Sequence, residues 1–516
     1  MDRTILSIDC GTQSLRALLF SPDGELLDIE RIEYEPYISS KPGWAEQDPE
    51  MLWDSLCKSC KTLNKRSPEL FSKIAGIGVT TQRASMVNVD KDGKTLRNII
   101  TWLDHRKAGI NYTPKGLMKY AYKAVGMFDV LLKVQSEGKC NWIRKYQPEI
   151  WKDTYKYLQI SGFFNFRLTG NFIDSIASQI GYIPFDYKKM KWEKGKGLAS
   201  LLFPVEKEKL PELIPPGGII GEITEKASFE TGLPEGIPVI AAGSDKGCET
   251  IGMGVLNQKS VSLSFGTTAT VQTTTKKYFE PLRFLKPYPG CIPGSYNPEV
   301  EIFRGFWMIT WFKNEFAQKE IEIAKEKGIE PEVEFDNLLR RSPKGAMGLM
   351  TQPYWGPGLK NPEAKGAMIG FGEVHKKEHI YRSVIEGLCF ALLDGMHKIE
   401  KNGGVQVERV AVSGGASQSD EICKIAADIF NLPIIKGNTS ETSGLGAAII
   451  TSVGTGIHPD YDTAIKKMVH YSNTFIPDKE NVRIYKKLYK KVYLKMYKSL
   501  KPFYEEIRKI TGYPEE

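Results

Sequence analysis

Asp9 ends an apolar run and is followed at once by Gly11, Thr12, Gln13, Ser14 and Arg16, residue types suited to gripping phosphate. Glycine permits a tight turn, so backbone N–H groups and the Thr12 and Ser14 hydroxyls can converge on phosphate oxygens. Asp9 can hold a hydrated Mg²⁺, which favours carboxylate oxygen and keeps several waters. Arg16 can add charge or form a structural ion pair, and the segment also suits an ordinary hairpin capped by Asp and Ser. A second candidate is Ala241-Ala242-Gly243-Ser244-Asp245-Lys246-Gly247. Phosphoryl transfer to an alcohol needs a carboxylate that orients the hydroxyl and takes its proton, and Asp245 follows a buried-strand pattern on a small-residue turn. Capping of the next helix is the other use of such an aspartate. A third candidate is Ser413-Gly414-Gly415-Ala416, where paired glycines let a nucleotide approach the backbone or a helix pack closely on a strand. The sequence contains neither a GxxxxGK[ST] loop nor a dinucleotide GxGxxG after a strand. Six histidines form no HExxH or Cys/His cluster.

The elements that must position these residues follow α/β grammar. The opening TILSIDCGTQSLRALLFSPDGELLDIE predicts strand, turn, strand, turn, strand, with Asp23-Gly24 as the second turn. DPEMLWDSLCKSCKTL predicts a helix with an acidic first turn, and KIAGIGVTTQ a buried strand. Residues 110–210 read as mostly helical. KSVSLSFGTTATVQTTTKK then repeats the opening arrangement, so Gly266-Thr267 is the counterpart of Gly11-Thr12. VERVAVSGGASQSDEICKIAADIF predicts strand, glycine turn, helix. Two α/β lobes are expected, residues 1–255 and 256–483, with an amphipathic helix over 484–516 packed on the second. Its Tyr485, Tyr489, Tyr493 and Tyr497 form an apolar stripe at helical spacing, and Pro502 is expected to end or kink it.

Composition narrows the class. The chain has 516 residues, 41% hydrophobic and 26% charged, as expected of a globular protein with two cores. No secretory signal or spanning segment is read, so a cytoplasmic protein is expected, with its eight cysteines reduced. Of the net charge of +8, a surplus of five lies in the tail, where nine Lys/Arg face four Glu from Ile484 onward. That pattern fits the solvated face of a docked helix, so neither nucleic acid nor membrane is expected as a partner. Cys57 and Cys60 have no second pair beside them to complete a zinc site.

Together these motifs resemble the FGGY carbohydrate kinase family along nearly the whole chain. Asp9 to Arg16 is similar to the family's DxGTxSxR opening, GWAEQDPEMLW to its substrate-side loop, and Trp102-Leu103-Asp104-His105-Arg106 to its Trp-x-Asp-x-Arg segment. GSDKG resembles its catalytic aspartate motif, and SFGTTA and SGGAS its second-lobe phosphate and adenosine loops. Gly366 to Phe371, with His379 to Glu386, follows its late signature, Phe371 standing where a smaller aliphatic is usual. The resemblance implies two actin-like, ribonuclease H-like lobes with a nucleotide cleft between them. It implies transfer of the ATP γ-phosphate to a sugar or polyol hydroxyl, Asp245 acting as base. Asp9 and Asp245 would hold Mg²⁺, and Gly11, Thr12, Gln13, Ser14, Arg16, Gly266 and Thr267 would face the phosphates. Gly414, Gly415, Ala416 and Ser419 would line the nucleotide. Trp44, Glu46, Gln82, Arg83, Trp102, Asp104 and Lys246 would bind the acceptor, and a homodimer is the implied assembly.

Gln82-Arg83 resembles the glycerol kinase pair, but Ala84 replaces the glutamate that follows it there. The Trp44 to Asp48 loop and Asp104 look more like pentulose kinases, although the xylulokinase Met-His pair is absent at 82–83. A ketopentose is therefore the expected acceptor. Glycerol, another alditol or a quorum-signal sugar are the alternatives, as is a silent sensor on the same fold.

Overall fold

A computed structural model of the chain describes residues 3–195, 197–356 and 363–513. The first sheet contains β1 (Thr4–Cys10), β2 (Ser14–Phe20), β3 (Leu26–Glu33), β4 (Ile74–Thr81), β5 (Ile219–Glu222) and β6 (Pro238–Ile240), in the order β5-β6-β4-β1-β2-β3. β1, β2 and β3 are antiparallel, and β4 lies parallel to β1. All seven residues of β1 are buried, as in a central strand covered on both faces, the polar Thr4, Ser7 and Asp9 included. Helix α1 (Pro49–Arg66) packs on β2 and β3. It starts where the sequence predicts: Asp48 accepts the Glu50 N–H at 2.9 Å, Pro49 opens the first turn, and Lys65 and Arg66 close the last. Helix α2 (Ile160–Thr169) packs on β4.

The second sheet contains β7 (Ser260–Phe265), β8 (Ala269–Gln272), β9 (Glu299–Ile302), β10 (Arg409–Ser413), β11 (Ile434–Gly437) and β12 (Tyr471–Phe475), in the order β9-β8-β7-β10-β11-β12. Again three antiparallel strands lead into a parallel neighbour. The β1–β2 and β7–β8 hairpins therefore occupy equivalent places in the two sheets, and Gly11-Thr12 matches Gly266-Thr267. Helix α3 (Asp245–Gly252) follows β6, and α4 (Lys377–Gly403) and α5 (Asp420–Phe430) pack on each other in the second core.

Helix α6 (Thr442–Gly454) comes late in the chain yet covers the first sheet, packing on β1, β4 and α3. Its Leu445, Ala447 and Ile449 share a buried cluster with Ile5, Leu18 and Phe20. Gly446 has no room for a side chain, because a Cβ there would sit 1.9 Å from the Cys248 carbonyl oxygen of α3.

The 110–210 region departs from the helical expectation. Its helices are interrupted by strands, among them Lys156–Gln159, which pairs antiparallel with Met86–Val89. Four residues are too few to reveal a two-residue period inside a helical context. The tail forms α7 (Lys479–Leu488), a π turn over Tyr489–Tyr493, and α8 (Leu494–Thr511). Tyr485, Tyr489 and Tyr493 are buried against Phe390 of α4. Residues four apart drift around an α-helix of 3.6 residues per turn, and the wider π turn removes that drift, keeping the tyrosines in line. Pro502 does not end the helix. It lies inside α8, with Met496 and Tyr504 buried on either side, so packing holds the turn that its missing N–H leaves open. Among the described residues, no helix is long and apolar enough to cross a membrane.

Candidate active site

The first hairpin is braced from below. Gly11 donates its N–H to Ser14 O at 3.0 Å, closing the turn. Thr12 Oγ1 donates to Gln82 Oε1 at 3.1 Å and accepts from Trp102 Nε1 at 3.0 Å. Gln47 Nε2 donates to Thr12 O at 2.9 Å, while Gln82 Nε2 donates to Gln47 Oε1 at 2.8 Å. Trp102 is otherwise open, 41% exposed. Gln13 is exposed at the tip, and Ser14 is buried at the start of β2. Arg16 lies opposite Asp9 across the β1–β2 pair, with Nη1 3.1 Å from Asp9 Oδ2 and Nε 3.5 Å from Glu441 Oε2. Burial pushes the Asp9 carboxyl up to about 6, against the pull of Arg16 and with help from Asp245 and Glu441.

Asp245 opens α3, but Ser244 does the capping, its Oγ accepting the Gly247 N–H at 3.3 Å. Asp245 Oδ1 accepts the Lys246 N–H at 2.7 Å and lies 3.8 Å from Arg83 Nε, and the side chain is partly exposed. Burial raises its pKa, opposed chiefly by Arg83 and Lys246. Lys246 turns toward the second sheet: Nζ donates to Glu249 Oε2 at 2.7 Å and Ser264 Oγ at 2.8 Å, and Ser413 Oγ donates to Glu249 Oε1. The first turn of α3 is thereby fastened to the ends of β7 and β10.

Beside those strand ends lie the second hairpin and the paired glycines. Gly266 O accepts the Phe306 N–H at 3.0 Å, and Thr267 is exposed. Gly414 has φ 87°, and a Cβ on it would come 2.8 Å from the Phe265 carbonyl carbon, so only glycine fits. Gly415 faces open space, and Ala416 is half-buried. Ser419 caps α5 by accepting the Ile422 N–H at 3.1 Å and donates to Asp336.

The remaining sequence candidates form a closed girdle. The Asp104 carboxylate accepts from Ala45 N at 2.6 Å and from Arg106 N and Nε at 2.9 and 2.8 Å, with its side chain 0% exposed. Glu46 pairs with Arg97 at 2.7 Å and Arg106 at 2.8 Å. Trp44 lies under the Arg106 guanidinium at 3.9 Å and meets Trp142 edge-on at 5.3 Å. In this conformation Asp104, Glu46 and Lys246 are engaged by protein partners, Gln47, Gln82, Thr12 and Trp102 form a hydrogen-bonded chain, and Arg83 lies beside Asp245.

Sequence reasoning missed Gln47, Glu249, Glu299 and Tyr288. Glu249 carried a signal, standing one helical turn after Asp245. Glu299 carried none: it forms a two-pronged ion pair with Arg83, 3.1 Å on each side, and the guanidinium lies over Tyr288 at 5.1 Å. Among the described residues no cluster of three His, Cys, Asp or Glu side chains is arranged to hold a metal, and Cys57 and Cys60 are free thiols. The negative charges of Asp245 and Glu441 add to burial in raising the Asp9 carboxyl, a repulsion that a water-coordinated divalent cation would relieve.

Two sheets of matching topology, a Gly-Thr hairpin on each and a carboxylate at the start of α3 make up the frame, and likeness to known proteins identifies it as that of an ATP-dependent sugar kinase. The chain belongs to the FGGY family of carbohydrate kinases: residues 4–252 match that family's N-terminal domain and residues 261–455 its C-terminal domain. It is 27% identical over 496 residues to xylulose kinase of Lactococcus lactis, covering 94% of each chain. It is 26% identical over 498 residues to gluconokinase of Bacillus licheniformis, covering 95% of this chain and 94% of that one. The crystal structure of gluconate kinase from Lactobacillus acidophilus superposes with a TM-score of 0.83 at 22% identity, covering 98% of this chain and 99% of that chain.

Proposed function

We propose that this kinase phosphorylates a hydroxyl of an uncharged open-chain sugar, a ketopentose, with Asp245 as the general base. The observation that carries the reading is charge pairing around Asp245. Among the described residues beside it, Arg83 is held by Glu299, Lys246 by Glu249, and Arg16 by Asp9 and Glu441. Neutral hydroxyls suit such a surface, and the exposed Trp102 offers a ring face against which a sugar can lie. A gluconate acceptor is the second reading, favoured by the gluconokinase relatives. Its carboxylate would need a cation that these pairings engage.

In the proposed reaction the acceptor hydroxyl lies on Asp245, which takes its proton as the γ-phosphate transfers. Gly11, Thr12, Gly266 and Thr267 flank the phosphates from the two hairpins, and Gly414, Gly415 and Ala416 line the nucleotide. Asp9 and Asp245 would hold a hydrated Mg²⁺, whose chemistry is to neutralise phosphate charge. Closing of the lobes keeps water from the γ-phosphate.

The test is ADP release across ketopentoses, alditols, glycerol and gluconate. A ketopentose is expected to raise turnover well above the ATPase background. Gluconate as best acceptor would establish the second reading, and no active acceptor would leave a sensor. The base assignment also fixes a pH dependence. The Asp9 carboxyl, pushed up to about 6, loses its charge as pH falls, so kcat/KM should decline through the region near pH 6, and burial raises Asp245 in the same direction. Arg16→Met removes the cation that opposes protonation of Asp9, so a pH–rate titration should show this limb at higher pH.

A further inference from the structure

The Arg83–Glu299 pair joins the two lobes, since Arg83 lies just beyond β4 of the first sheet and Glu299 starts β9 of the second. Glu299 is nearly sealed from solvent, its side chain 4% exposed, and it takes two guanidinium N–H groups, one on each oxygen. Glu301 stands two residues along the same strand, hence on the same face. Arg83 is further fixed by Tyr288 beneath it and by Ala84 after it, which has φ 55°. The outcome is a cation held beside the proposed base, with Nε 3.8 Å from Asp245 Oδ1 and its fork already filled.

An arginine fork matches a carboxylate in shape and charge. Left unfilled beside Asp245, it would be a ready seat for the carboxylate of a sugar acid. We propose that Glu299 is a specificity-determining positioning residue, which by occupying Arg83 denies that cation to an acidic acceptor. The inference rests on the neutral-acceptor reading above. Such exclusion by a competing internal group is discrimination against the wrong substrate rather than added grip on the right one. It acts twice, because an acid reaching Arg83 would also meet the negative charge of Glu299.

The test compares kcat and KM for a ketopentose and for gluconate in wild type, Glu299→Gln, Glu299→Asp, Arg83→Met and the double variant Arg83→Met/Glu299→Gln. In Glu299→Gln the ratio of kcat/KM values should move toward gluconate by about 10-fold or more, mainly through a lower gluconate KM. Glu299→Asp, which keeps the charge, should restore the ratio toward wild type. The double variant should show no gain, because the cation is gone. An unchanged ratio in folded Glu299→Gln, or a gain that survives loss of Arg83, overturns the inference. Should Glu299→Gln not fold, Arg83→Met decides alone. It should leave the ratio near the wild-type value, and selective loss of gluconate activity would mean that Arg83 was already available. Wild-type preference for gluconate would sink both the reading and the inference, whereas a neutral-sugar preference with an immobile ratio sinks the inference only.

Discussion

Asp245→Asn is expected to lower kcat by about 10²- to 10⁴-fold, the usual worth of a positioned general base. Asparagine has nearly the same shape and can still accept the Lys246 N–H that now reaches Oδ1 at 2.7 Å. Ser244 continues to cap α3, so the helix start should survive. What disappears is an oxygen able to take the hydroxyl proton. Nucleotide affinity, measured by calorimetry with ADP, should change little, because Gly414, Gly415 and the second hairpin are untouched. Retention of most of the turnover would refute the base assignment, and a joint collapse of ADP binding would mean that Asp245 chiefly organises the cleft.

The second large effect is on stability. Gly446→Ala should cost about 1–3 kcal/mol or more, as overpacking does where backbone cannot yield. The added methyl would lie 1.9 Å from Cys248 O, within α3 itself. Gly252 meets α6 from the other side, where a Cβ would sit 2.1 Å from Thr442 O, so neither helix has slack to give. Because α3 carries Asp245, kcat should fall together with the melting temperature. Gly415→Ala is the contrast: nothing lies within 4 Å of its Cβ position, so thermal denaturation should be unchanged while KM for ATP rises. Equal melting behaviour of Gly446→Ala and wild type would show that the helix pair can separate without penalty.

The hairpins, α1 and the tyrosine stripe were legible in the sequence because each depends on local chemistry: apolar runs, Asp-Gly turns, an Asp-Pro-Glu start, a four-residue spacing. Asp245 was legible as a candidate, though only the structure shows that Ser244 has taken the capping role. Asp104 and Glu46 were legible as candidate acceptor ligands, but not the arginines they pair with, since a carboxylate carries no mark of its partners. Their partners are Arg97 and Arg106, the latter only two residues beyond Asp104, and nothing in the spacing shows that Arg106 bridges both carboxylates. Glu299 was invisible for the same reason, 216 positions from the arginine it pairs with. Pro502 does not end its helix, because a proline stops a helix only where nothing else holds the turn.

The placement of α6 has a consequence for synthesis on the ribosome. Ser7 in the first strand donates its hydroxyl to Gly444 O at 2.7 Å, across 437 positions of chain. Until α6 emerges, the face of the first sheet bearing Ile5, Leu18 and Phe20 has no cover from that helix. The earliest strands made are therefore among the last to be sealed, and translation proceeds with their apolar surface open to misassociation. A nascent chain of this design benefits from a holding chaperone during elongation, and truncation before residue 442 leaves a sheet that is paired but uncovered.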